Sequence, residues 1–195
     1  DGFKGNGGVT IYGTVTAPRI DINGQDQIRT KVITTPAQVA FPANMDLSAY
    51  YQIAQANGQV YSSQKLNGSV NWGEIPGGVR WINGTLTQNG SLTYKGCIIA
   101  TGNIKFNGSV QQIQYQDFPA VVSRDGFLEV NGDHDFTGLV YARGNVKWNG
   151  NGNFEGSILC GGNMTFNGAY GILTYKYCQP GALGGSVGGV TKNTV

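Results

Sequence analysis

From residue 79 onward apolar and polar residues alternate, and a glycine closes the alternation every six residues. Glycines stand at 84, 90, 96, 102 and 108, and again at 126, 132, 138, 144, 150, 156, 162 and 168, all on one frame. With glycine as position 6, position 2 is aliphatic (Leu86, Leu92, Ile98, Ile104, Val146, Ile158). Position 4 is aromatic or small (Tyr94, Ala100, Phe106, Trp148, Phe154, Phe166), and positions 1, 3 and 5 are mostly polar. Alternation with period two marks a short strand with one buried face. Glycine accepts the left-handed backbone of a tight corner, and so does the Asn that often precedes it (Asn83, Asn89, Asn107, Asn131, Asn149, Asn167).

A second period lies above the first. LVYARG-NVKWNG-NGNFEG (139–156) matches SILCGG-NMTFNG-AYGILT (157–174) at an offset of 18. Three strands per 18 residues describe an all-β fold, a triangular parallel β-solenoid of about six coils. Coils are expected to begin at 79, 97, 121, 139 and 157, with a sixth opening at Tyr175–Pro180. A six-residue insertion falls within 109–120 and includes Pro119. The chain reads as one domain. Residues 1–36 supply the first coils (TVTAP, RIDING, KVITTP), and 37–78 form an excursion. Within it, 46–57 predicts a short helix capped by Asp46 and ended by Gly58, with Leu47, Tyr50, Tyr51 and Ile53 or Ala54 on one side. The excursion is expected against the solenoid's side or across its N-terminal end. Residues 79–180 carry the main coils, and 181–195 form a Gly-rich tail, extended or docked on a neighbour.

The three strand columns differ. The first is apolar on its outward positions as well: Ile33, Trp81, Ile99, Tyr141, Leu159 and Tyr177, with Ser123 the exception and Val79, Cys97, Val121 and Leu139 beside them. A strand apolar on both faces is covered by something. One reading is that 37–78 or the tail covers it. The other makes Trp81, Ile99, Tyr141, Leu159 and Tyr177 a surface for a partner. The second column is polar outside (Thr87, Lys105, Glu129, Lys147, Thr165), with Lys105, Glu129 and Lys147 reading as a solvated charge ladder. The third is polar too (Thr93, Asp135, Asn153).

Composition narrows the chemistry. Glycine contributes 32 of 195 residues, charged residues 12% and the net charge is +2. That charge is small for a protein held to nucleic acid by electrostatics, and Arg19, Arg29, Lys31, Lys105, Arg143 and Lys147 give only a thin basic stripe. No run of 18 apolar residues offers a membrane span. The chain opens at Asp1 without methionine or signal peptide, which reads as a processed or trimmed chain. The acids lie singly on separate strands, so no carboxylate pair suggests hydrolysis, and neither an enzyme nor a cofactor is expected. Asp133 and Asp135 are weak candidates for a surface Ca²⁺, whereas alternation turns His134 inward as a buried histidine. Cys160 and Cys178, 18 residues apart and both at position 4, are inward neighbours that either pair as a disulfide or stay as two buried thiols. Cys97 reads as unpaired. Asn67, Asn83, Asn89 and Asn107 head glycosylation sequons that read as by-products of Asn-Gly corners.

The units GTVTAPRIDING, GCIIATGNIKFNG, GLVYARGNVKWNG and GSILCGGNMTFNG resemble the solenoid coils of type IV pilus assembly proteins of the PilX kind. The Tyr-rich segment Asp46–Gly58 is similar to the helical excursion of those proteins, and the hexad logic is shared with bactofilins. The resemblance implies a right-handed solenoid. It also implies a non-enzymatic structural or adhesive module at the cell surface or outside the cell, with pilus subunits or other surface proteins as partners. The alternatives are a bactofilin-like filament that self-associates through the solenoid ends, and a carbohydrate-binding or carbohydrate-cleaving solenoid.

Overall fold

The computed structural model describes residues 2–7, 10–12, 14–23, 27–28, 31–33, 45–168 and 170–175. Tyr177, Cys178, Arg29 and the tail 181–195 lie outside the described residues, as do the side chains of Lys31 and Ile33. In chain order the strands are β1 (Phe3–Asn6), β2 (Thr10–Tyr12), β3 (Thr14–Thr16), β4 (Ile20–Asn23), β5 (Gln27–Ile28) and β6 (Lys31–Ile33). Helix α1 (Ser48–Ala56) follows, then β7 (Val60–Asn67), β8 (Val70–Asn89), β9 (Leu92–Ala100), β10 (Ile104–Asn107), β11 (Val110–Ile113) and β12 (Val121–Ser123). The chain continues through β13 (Leu128–Asn131), β14 (His134–Ala142), β15 (Val146–Asn149), β16 (Gly152–Cys160), β17 (Met164–Asn167) and β18 (Tyr170–Tyr175). Every pairing among these strands is parallel. The result is a β-solenoid of about eight turns roughly 18 residues apart, two more than the hexad frame alone displays.

The order of stacking is not the order of the chain. Strand β1 lies on β17, pairing Phe3 with Met164 and Asn6 with Asn167, and β4 lies on β1. The N-terminal strands were expected to open the stack, yet β1, β2, β4 and β5 close it beyond the last main coil, while β3 and β6 pair with each other. At the other end β7 lies on β8, so the helical excursion joins the two ends. The second column therefore runs β7, β8, β10, β13, β15, β17, β1, β4. Position 4 in this column is Phe106, Val130, Trp148, Phe166 and Gly5, and the Phe3 ring packs 5.7 Å from Phe166.

The insertion divides in two, which corrects the expected frame. Lys95 pairs with Ile113 at an offset of 18, Ile98 with Val121 at 23 and Ile104 with Leu128 at 24. Five extra residues thus precede β12 and one more sits in the corner 124–127. Val121 consequently faces inward and Val122 outward. Ser123 is not an outward exception: its hydroxyl donates to the Gly102 carbonyl at 2.8 Å inside the corner.

A ladder of asparagines runs the length of the second column. Asn23 donates to Asn6 (2.9 Å), Asn6 to Asn167 (2.9 Å), Asn167 to Asn149 (2.8 Å) and Asn149 to Asn131 (2.6 Å). Asn131 donates to Asn107 (2.9 Å), Asn107 to Asn89 (2.8 Å) and Asn89 to Asn67 (2.9 Å). All amides point the same way, so each bond polarises the next. Asn131→Ala orphans a donor and an acceptor and is expected to cost about 1–2 kcal/mol. Asn67→Ala, at the ladder's end, should cost less than half as much in urea denaturation.

Candidate binding faces

Three outward faces were candidates for function, and the structure treats each differently. The first column is closed by the chain itself. Helix α1 and the Leu47 that precedes it lay Leu47, Tyr50 and Ala54 over Val79, Trp81, Cys97, Ile99, Val122 and Tyr141, and Phe118 of the insertion completes the cover. Tyr50 meets Phe118 edge-on at 5.2 Å and Tyr51 meets Trp81 edge-on at 5.1 Å. The helix forms within the expected segment but starts at Ser48, and its N-cap is Leu47, which makes no side-chain cap bond, rather than Asp46. Asp46 accepts a bond from the Ser48 amide at 2.9 Å, and Gly58 takes φ +64° just past the end. A partner surface at Trp81, Ile99 and Tyr141 is therefore overturned: these side chains are 5%, 0% and 1% exposed. Leu159 is half-buried at the edge of the same cluster. Burial also pushes the Cys97 thiol and the Tyr50 hydroxyl up, so both stay protonated.

The second face presents the asparagine ladder and, beside it, a row running Lys65, Thr87, Lys105, Glu129, Lys147, Thr165, Lys4, Asp21. Lys105 and Glu129 form an ion pair at 3.2 Å. Partial burial raises the Glu129 carboxyl, but bonds from Lys105 and Asn131 outweigh it and leave it below the usual range. Arg19 is engaged by Asp21 at 3.0 Å. The lysines of this face are thus separated from one another by a threonine or a carboxylate rather than forming a continuous basic stripe.

The third face is uncovered. Ser91, Ser109 and Asp133 in one row, and Thr93, Gln111 and Asp135 in the next, line an open trough of about 460 Å³. Hydroxyls, an amide and two carboxylates make it polar. Asp133 and Asp135 both face outward, two positions apart, and Asp135 accepts bonds from the Asn153 amide and side chain at 3.1 Å each. Among the described residues no three His, Cys, Asp or Glu side chains group to hold a metal ion.

Between those aspartates His134 points inward, 2% exposed, its ring 4.8 Å from Trp148 and 6.1 Å from Phe136. Desolvation pushes its pKa down to about 4, against the weaker upward pull of the Gly132 backbone and of Asp133 and Asp135. The unfolded chain, with an ordinary histidine near 6.5, binds its proton first as pH falls. The stabilisation is whole above pH 6.5 and is lost between about pH 6.5 and 4, amounting to about 3 kcal/mol. Urea midpoints measured at both ends of that window should diverge, and His134→Phe should flatten the difference.

Of the two cysteines expected to be inward neighbours, one is described. Cys160 sits inward at the level of Ala142, half-buried, its Sγ 3.2 Å from the Gly162 carbonyl and 3.3 Å from that of Gly144. Burial raises its thiol. Cys178, its expected neighbour, lies outside the described residues. Two sequon asparagines, Asn89 and Asn107, spend their side-chain amides in the ladder, and Asn83 accepts from the Trp81 indole at 2.8 Å. No helix among the described residues is long and apolar enough to cross a membrane.

The asparagine ladder and the trough were not singled out from the sequence, although the Asn-Gly spacing and the polar third column carried both signals. Comparison of the chain with protein-family models, with curated proteins and with solved structures gives no match.

Proposed function

We propose that this chain is a non-enzymatic structural and adhesive rod of the cell surface, working with type IV pili as the resemblance of its coils suggests. The ladder of eight asparagines carries the reading. Seven successive side-chain bonds, parallel to the backbone bonds of the same column, tie every coil to the next. Eight coils at about 4.8 Å each make a stiff spacer roughly 40 Å long. A protein selected for transmitting load or holding a binding face at a distance needs such continuity. The apolar column is satisfied internally by α1, which leaves the polar trough as the face open for contact.

Surface plasmon resonance of the immobilised chain against purified pili and pilin tests this. Saturable binding that is lost in Gln111→Glu/Asp135→Lys supports it. Binding to neither pili nor cell-surface material overturns it. A second reading, carbohydrate binding, is favoured by the hydroxyl, amide and carboxylate lining of the same trough. A glycan array separates the two.

A further inference from the structure

The two ends of the solenoid fit each other. Strand β4 (Ile20–Asn23) is the last described strand of the second column at one end, and the Gln64–Asn67 part of β7 is the last at the other. Continuing the register from one end of a molecule to the opposite end of another sets Ile20 over Gln64, Asp21 over Lys65, Ile22 over Leu66 and Asn23 over Asn67. Each of the last three pairs is complementary. Asp21 and Lys65 carry opposite charges in the row that already alternates Lys105, Glu129 and Lys147. Ile22 is 37% exposed, whereas the same column position is filled at 0% exposure by Phe106 and Val130 in the middle coils. Leu66 and Val70 at the far end are likewise only partly buried against the core. The ladder has a direction: every bond runs from the Nδ2 of one Asn to the Oδ1 of the next, from Asn23 towards Asn67. It therefore ends with an acceptor, the Asn23 Oδ1, on one side and a donor, the Asn67 Nδ2, on the other.

We infer that a second copy of this chain stacks on the first head to tail, β7 of one against β4 of the other, and that the stack is polar and open. Unlike ends meet, so the interface is heterologous and adds copies without closing. The bond that continues the ladder runs from the Asn67 amide of one copy to the Asn23 carbonyl of the other. Like ends cannot do this: joining them reverses the strands of one copy, so the parallel register is lost, and the ladder finds only acceptors at two Asn23 ends and only donors at two Asn67 ends. The inference extends the rod reading but stands apart from it, because a rod can be a rod alone.

The experiment is sedimentation velocity with small-angle scattering on the 195-residue chain over a wide concentration range, followed by negative-stain microscopy. The wild type should lengthen with concentration at constant cross-section. Asp21→Lys or Lys65→Asp alone should weaken association about tenfold or more, and the two together should restore it. Ile22→Lys, at an exposed position that leaves the fold intact by circular dichroism, should hold the chain as a monomer. A wild type that stays monomeric, an assembly that stops at the dimer, indifference to all three substitutions, or a double variant that fails to recover would each overturn the inference. Scattering at the lowest concentration reports the shape of the single rod, so the rod reading stands or falls separately.

Discussion

Trp148→Ala is expected to destabilise the fold by about 3–5 kcal/mol, the range of large aromatic truncations in a packed core. Trp148 is 1% exposed and sits at the middle of the column that joins the main coils to the N-terminal ones. Its ring stacks on Phe166 at 5.7 Å and meets Phe136 and Phe154 edge-on at 5.5 and 5.9 Å. Phe166 in turn packs on Phe3. Truncation removes contacts on three sides, and the neighbours cannot collapse inward because their backbones are fixed by parallel ladders above and below. Urea unfolding followed by far-UV circular dichroism should show a lower midpoint. Trp148→Phe, which keeps a ring in place, should recover more than half the loss. An equal loss in both variants would show that the fit of the larger ring decides this site rather than the volume it fills.

Gly156→Ala is expected to cost about 4 kcal/mol through backbone strain and overpacking together. Gly156 turns the corner between the third and first columns with φ +153°, and a Cβ there would overlap the Gly138 carbonyl oxygen of the coil beneath. The obstacle is backbone, held in its own ladder, so it cannot yield as a side chain can. Gly58→Ala makes the matched comparison. Its φ is +64° with nothing within 4 Å, so conformational strain of about 1 kcal/mol is its whole penalty. Differential scanning calorimetry of the two variants should separate by several degrees. Equal melting temperatures would mean that corner glycines matter only for their dihedral freedom and not for coil-to-coil clearance.

The columns were legible because burial with period two and corners with period six leave marks in composition at every coil. Ile104, Phe106 and Asn107 announce a buried side, a filled core and a turn in four residues. The order of stacking was not legible. Inward residues are interchangeable between coils, so the pattern that says Phe3 belongs to a column does not say that its neighbour is Met164 rather than a residue near 60. The coil 60–78 also escaped notice, since its offsets of 22 and 21 and its register shifts near Asn71–Gly73 and Glu74–Val79 break the hexad. There the core is filled differently: Arg80 points inward, with its guanidinium 3.8 Å from the Trp72 ring and 4.6 Å from that of Tyr61. Burial lowers its pKa, although the neighbouring Tyr61 pulls the other way. At the first column the apolar outward residues signalled a cover correctly but not which one. Tyr50 and Ala54 answer that only once α1 is seen lying on Ile99. The trough was half legible, because a polar third column predicts exposure without predicting a concavity between Ser109 and Asp135.

The placement of β1 on β17 bears on how the molecule is made. Coils from 60 to 167 each meet a partner one repeat away, so they can add one after another as they leave the ribosome. Residues 3–23 emerge much earlier, and although β1 and β4 can pair with each other, they join the stack only when β17 exists, 161 positions later. Closing that contact costs about 2 kcal/mol more in chain entropy than closing an 18-residue coil. Synthesis and folding therefore run in opposite orders for this segment, which is the earlier to be translated and the last to dock. Until then its apolar strands and the bare edge of β17 stand open together, and the interval between them is when the nascent chain is most exposed to mispairing.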